Sequence, residues 1–310
     1  VAGRQHWAFQ PVTDPPLPPV ADTAWPLDPI DHFVLAKLQA AGLQPQPDAE
    51  RWQWLRRVSL DLTGLPPSPA QIADFTSDSS PAACEKVVDR LLQSREFAER
   101  WARHWLDLTG YADQVGTSNE VFAEHAWRYR DYVINAFHQD LPWDQFVIQQ
   151  IAGDLLPTQS PQQQADYLTA TGFLLVGDVE IVNPDKLKLE TDHIDFQLSR
   201  IGTAFLGMTL GCARCHDHKF DPVSQADYYA LAGIFYSTRM LEELGTKGGE
   251  ITLQRRLLVP AAVAAARQRG LALGAQLDAS LASLDRGAVP PDDPERLAIL
   301  AERARVAAAT

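Results

Sequence analysis

The chain has 310 residues, a formal net charge of -13, and 45% hydrophobic against 22% charged residues. That length carries one large domain or two smaller ones with real cores, and the balance is ordinary for a globular protein. The acidity, with no basic stripe to meet phosphates, argues against a nucleic-acid partner, and no run of 18 or more apolar residues offers a membrane span.

Residues 1–27 are proline-rich and aperiodic, which predicts an extended arm anchored by Trp7 and Phe9. Ile30, Phe33, Val34, Leu38 and Ala41 then fall at helical spacing until Gly42 stops the run near Leu43. A second helix is expected over about Asp48 to Leu62, ended by Gly64-Leu65-Pro66-Pro67. Ser68-Pro69 opens a third, with serine as cap and proline at the first helical position. Ser80-Pro81 reads as the same device before Val87, Val88, Leu91 and Leu92. Cys84 lies inside that pattern and reads as a small, half-buried hydrophobe. Phe97 to Leu108 is predicted helical with Trp101, Trp105 and Leu108 on one face, and Gly110 to Ala126 as a loop. Further helices are expected over Trp127 to His138, Pro142 to near Gly153, Gln162 to Leu175, and Lys188 to Leu210. Ser224 caps a last packed helix through Tyr236. Residues 260–310 are rich in Ala, Leu, Arg and Glu, are split by Pro290-Pro291, and predict a two-helix hairpin or coiled-coil arm. That last element lacks a stop signal, so the arm is expected to continue as a connector into a longer protein. The fold class is therefore mainly α: an arm over 1–27, a multi-helical domain over 28–240, and a helical connector over 241–310.

Cys212-Ala213-Arg214-Cys215-His216 is a complete C-x-x-C-H. The spacing suits covalent haem. Two thiols add across the two vinyl groups of one porphyrin, and the adjacent histidine reaches the iron from the proximal side. Zinc would need a further pair of ligands, and the only other cysteine, Cys84, is alone. A redox dithiol should sit in a strand-helix context, which the pattern lacks. The expectation is one haem c with its iron on His216. Such attachment happens outside the cytoplasm, so the protein is expected to be exported, periplasmic or at the cell surface, with Val1 beginning a mature chain.

The blocks Trp52 to Pro67 (WQWLRRVSLDLTGLPP), Glu99 to Asp113 (ERWARHWLDLTGYAD), Trp127 to Phe137 (WRYRDYVINAF), Ile151 to Pro157 (IAGDLLP) and Phe205 to Tyr229 (FLGMTLGCARCHDHKFDPVSQADYY) resemble the second planctomycete-type cytochrome C domain, over about residues 5–238. The resemblance implies one module of a large exported protein and no particular reaction. Members of that family usually carry Leu where this chain has Met208, which argues against Met208 as an iron ligand.

The sixth iron position is open at this level. Methionine there gives a high-potential haem and a second histidine lowers the potential. His104, between Arg103 and Trp105 on an aromatic helix, is one candidate metal ligand; the alternative is a core histidine. Met240, His125 and His193 are further candidates, and an empty site is another. His218 is too close in sequence to His216 to reach the opposite face of the same iron. Arg214, Lys219 and Arg200 are candidate partners for haem propionates. Asp217 and Asp221 read as turn caps, Arg128 to Asp131 as structural ion pairing rather than a pocket lined with Asp107 and Asp113, and the eight tryptophans mostly as core. Three functions fit these residues. The first is electron transfer to a redox partner protein or domain. The second is a haem-based, peroxidase-like enzyme with an open distal site. The third is a structural or carbohydrate-binding module stapled by haem.

Overall fold

Asp28 caps α1 (Pro29–Ala40) through a capping box with Asp31, and Pro29 stands at the first helical position. The computed structural model describes residues 6–116, 121–177, 179–180, 183–238, 261–287 and 290–309. α2 (Arg51–Thr63) ends at Gly64 in the left-handed region, φ 74°. A Cβ there would also stand 2.8 Å from Arg100 Nη1. Ser68 and Gln71 form the capping box of α3 (Pro69–Ser77). α4 (Ala83–Leu92) and α5 (Arg95–Leu108, capped by Ser94) complete the first group. Its core is Leu55, Phe75, Ala83, Val87 and Leu91. The Arg51 guanidinium closes it, 4.1 Å from the Phe75 ring centroid and donating to the Phe75 and Asp78 carbonyls.

α6 (Trp127–His138), α7 (Trp143–Ala152) and α8 (Pro161–Ala170) follow, and α8 runs into a 3₁₀ turn over Thr171–Leu174. α9 (Lys186–Ile201) and α10 (Gln225–Tyr236) carry the remainder. The larger core gathers on Trp105. Its ring lies 4.9 Å from Phe146, 5.6 Å from Phe205 and 5.8 Å from Phe173, centroid to centroid. Its Nε1 donates to Tyr129 Oη (3.0 Å) and Gln150 Oε1 (3.3 Å), and Tyr129 donates to the same Gln150 oxygen (2.5 Å). The polar handles of the two aromatics are thus satisfied inside an apolar cluster. Burial pushes the Tyr129 phenol above its usual range.

α11 (Ala261–Arg286) and α12 (Pro294–Ala309) form the expected hairpin. Asp285–Arg296 (2.5 Å) and Asp278–Arg303 (2.7 Å) tie the two helices, and Gly274 admits Arg303 and Val306.

Several expectations are corrected. Ser80 does not cap α4: its hydroxyl accepts from Lys86 Nζ and its carbonyl closes a turn with Ala83, so the helix starts two residues past Pro81. Cys84 is exposed, because the buried stripe of α4 is Ala83, Val87 and Leu91, and the next residue is turned away. On α5 the inner face is Ala98, Ala102, Trp105 and Leu106, which leaves Trp101 and Leu108 outside. Only Trp105 of the tryptophans is buried, and Trp7, at 81% exposure, anchors nothing. The loop after α5 contains a short antiparallel pair, β1 (Gln114–Val115) with β2 (Val121–Phe122), too brief to leave an alternating pattern. The structural ion pairing expected over Arg128 to Asp131 is present, but locally: Arg130 pairs with its neighbour Asp131 at a half-exposed position, and Arg128 stacks on Trp127.

Candidate functional site

The site is delivered by the end of α9. The helix stops at Ile201 rather than running to Leu210, widening into a π turn over Gly202–Leu206. Gly207 then turns left-handed (φ 63°), and Met208 N donates to the Gly202 carbonyl at 2.9 Å. The fold-back requires glycine at 202, where a Cβ would lie 2.5 Å from Leu210 Cγ and 2.8 Å from Met208 O. The returning chain, Leu210–Arg214, is a 3₁₀ turn lying along α9, close enough that a Cβ on Gly211 would stand 2.8 Å from Ser199 Oγ.

Three residues per turn sort the motif onto two faces. Leu210 and Ala213 are buried, and Ala213 packs with Ile194, Leu198, Tyr228 and Ala232. Cys212 and Cys215, three apart on the other face, are exposed free thiols. His216 is exposed beside them. Its Nδ1 donates to the Asp217 carbonyl at 2.8 Å, which leaves Nε2 as the ring nitrogen not engaged by that bond. A metal-ligating histidine is oriented in this same way.

The segment after the motif is held by His218. Its Nδ1 accepts from Phe220 N (3.1 Å) and Asp221 N (2.7 Å), so the proton sits on Nε2, which donates to Thr209 Oγ1 (2.9 Å). Both ring nitrogens are committed to the turn, and His218 is no ligand. Asp217 accepts from Gln225 N at the start of α10, and Asp221 accepts from Thr209 N, so both aspartates tie the segment to residues 8 and 12 positions away rather than capping local turns as expected.

Arg214 is engaged elsewhere than expected. Its guanidinium bridges Asp192 (3.0 Å) and Asp195 (3.2 Å) on α9, which removes it as a free partner for a propionate. Lys188, then Arg214, hold the Asp192 carboxyl below its ordinary value, and Asp192 raises the Arg214 guanidinium. Tyr228 donates to Asp195 (2.5 Å), and burial, then Asp195, push its phenol up. Lys219 is exposed over the Phe220 ring at 5.0 Å, with no carboxylate partner among the described residues.

The other candidates lie away from the motif. His104 is exposed on α5, edge-on to Trp101, and α5 packs on α2, α4 and α6 while the motif packs on α9 and α10. It is thus not a core histidine. His193 is buried on the opposite face of α9 from Asp192, Asp195 and Ser199, bonded to the Glu180 carbonyl. Arg200 shares that far face: it donates to Phe173 O (2.7 Å), lies 4.1 Å from the Phe196 centroid, and burial lowers its pKa to about 10. It is not beside the motif as a propionate partner. His125 is exposed in the turn before α6, Met208 is half-buried, and Met240 lies outside the described residues.

Sequence reading missed Asp192, Asp195, Tyr228 and Tyr229. The available signal was an acidic pair three residues apart on the helix before an arginine-bearing motif. No group of three or more His, Cys, Asp or Glu side chains converges to hold a metal ion among the described residues, which is not the closed four-ligand arrangement of structural zinc. Two exposed thiols on one face and an imidazole with its Nε2 free fit the donor set of a covalent haem.

No curated protein and no solved structure matches this chain. The model of one family, PSCyt2, described as "Protein of unknown function (DUF1549)", matches residues 29–240, beginning later than the resemblance in sequence had reached. That span is more than half of the 310 residues, and the chain belongs to the PSCyt2 family.

Proposed function

We propose that this is a c-type cytochrome domain that binds one haem covalently and passes single electrons to a redox partner within a larger exported protein. The observation that carries the reading is the 3₁₀ turn that buries Leu210 and Ala213 and turns Cys212 and Cys215 outward together, beside a histidine whose Nδ1 is already bonded. Cys212 and Cys215 would hold the porphyrin by thioethers, and His216 Nε2 would take the iron. The iron supplies one-electron chemistry. The chain's own part is to orient the imidazole through the Asp217 carbonyl and to offer Lys219, three residues past His216 and without a carboxylate partner among the described residues, for a propionate. The family's name agrees with a cytochrome.

The test is maturation on the export side of the membrane, followed by denaturation. The denatured chain should keep one haem mass and the absorption of a thioether-linked haem, and Cys212→Ala with Cys215→Ala should abolish both. Protein that purifies without haem, or with stoichiometric zinc, overturns the reading. A second reading, a peroxidase-like haem with an open sixth position, is favoured by His193, whose ring is buried on the far face of α9 and bonded to the Glu180 carbonyl rather than turned toward the motif. Rapid binding of carbon monoxide by the reduced protein supports that reading, and an unreactive six-coordinate spectrum supports electron transfer.

A further inference from the structure

We infer that Arg214, the second spacer residue of C-x-x-C-H, is a positioning residue that acts with Asp192 and Asp195 to fix the direction in which Cys212, Cys215 and His216 leave the fold. The inference rests on the haem reading above and deepens it. Arg214 is held at both ends. Its side-chain fork meets two carboxylates at once, Nη2 to Asp192 Oδ1 (3.0 Å) and Nη1 to Asp195 Oδ2 (3.2 Å). Asp192 and Asp195 stand three apart on α9 and so share a face, and a planar guanidinium is the one side chain that spans such a pair with parallel donors. The main-chain oxygen of Arg214 accepts from Tyr229 Oη (3.1 Å) and Gln225 Nε2 (3.3 Å) on α10. Tyr228 of the same helix donates to the second oxygen of Asp195.

The consequence is rotational. A 3₁₀ turn of five residues has few internal hydrogen bonds and poor geometry, so by itself it does not hold its faces. Ala213 provides only one methyl against the Ile194–Leu198 surface. The tie from Arg214 to α9 on one side and α10 on the other keeps the thiols and His216 on the solvent side. A lysine would keep the charge but satisfy only one carboxylate with good geometry.

The experiment uses the full chain in two forms. In the apoprotein, limited trypsin digestion reads the tie directly, because Arg214–Cys215 is a cleavable bond that the clamp protects. Asp195→Asn, and Asp192→Asn with Asp195→Asn, should speed cleavage after Arg214 by about threefold or more relative to sites on α11, the scale that a partly exposed ion-pair tie supports. The thermal midpoint is recorded alongside to separate local release from unfolding. In the matured holoprotein, Asp195→Asn and Arg214→Lys should both shift the midpoint potential and the Soret dichroism, with lysine failing to restore the wild-type values. Unchanged cleavage after Arg214 in both aspartate variants overturns the inference, and so does an unchanged potential and dichroism in Arg214→Lys. A wild-type chain that carries no covalent haem instead overturns the function reading, while the digestion result still decides the clamp.

Discussion

The Trp105 core and the Leu210–His216 segment are built on opposite principles. Around Trp105 five aromatic rings and aliphatic side chains exclude water, and the polar atoms of Trp105 and Tyr129 are satisfied internally. The motif segment has a thin apolar footing in Leu210 and Ala213, and everything else that holds it is polar or charged: Arg214 to α9, Tyr229 and Gln225 to α10, His218 across its own turn. Dispersion and burial stabilise without specifying direction, whereas hydrogen bonds and ion pairs specify direction at modest net gain. A fold that keeps its stability in the first region can keep two thiols exposed in the second.

The comparison breaks most sharply at Trp105. Trp105→Ala should destabilise the chain by ~3–5 kcal/mol, because it empties the centre of the cluster and removes the indole N–H that Tyr129 Oη and Gln150 Oε1 both accept, leaving those two bonded to each other; chemical denaturation measures it. His218→Ala comes next, at ~1–3 kcal/mol, because the amides of Phe220 and Asp221 lose their acceptor. Hydrogen exchange should show that loss concentrated around residues 209–223 and not in α5 or α6.

Acid provides a smaller effect outside both regions. Asp78, at the end of α3, accepts from Ser80 and Lys86, which lower its pKa from 3.8 to about 2. A depressed folded-state pKa contributes stability that is complete above the ordinary carboxylate value and is lost as pH falls toward about 2. The α3–α4 junction should therefore loosen across that window, read by amide exchange, while the Trp105 core, with Tyr129 titrating far above neutrality, keeps its protection. The smallest effect is expected at the thiols. Cys212→Ser with Cys215→Ser should change the thermal midpoint of the apoprotein by an amount corresponding to less than ~0.5 kcal/mol, since both side chains are exposed. Ending the chain near residue 240 should likewise leave the unfolding of the Trp105 core unaltered, because the ties of α11 run to α12. A shifted midpoint in either case would show that the site or the hairpin carries fold stability after all.

Much of the helical layout was legible because its signals are local. Ser68-Pro69, Gly64 and Ser224 act through backbone angles and first-turn donors, and each stands where a helix begins or ends. Trp127–His138 was readable to the residue. Ser80 misled because a local signal lost to a longer-range partner, Lys86. The tryptophans misled because ring size predicts contact area, not which side of a helix is covered: Trp101 and Trp105 are four residues apart, yet the small side chains Ala98 and Ala102 bring neighbours onto the Trp105 side alone.

The sequence by itself determined the helical class, most of the helix boundaries and the spacing of the C-x-x-C-H motif, because capping and turn chemistry depend on residues a few positions apart. Only the tertiary structure decided that Arg214 faces α9, that His218 staples a turn, that His104 is exposed on α5, and that His193 and Arg200 lie on the far side of α9. The physical reason is that each of those side chains has several feasible partners within reach of its own segment. Which partner it takes is set by how α5, α9 and α10 pack, a choice governed by the summed burial of the Trp105 and Ala213 clusters and by no single local preference.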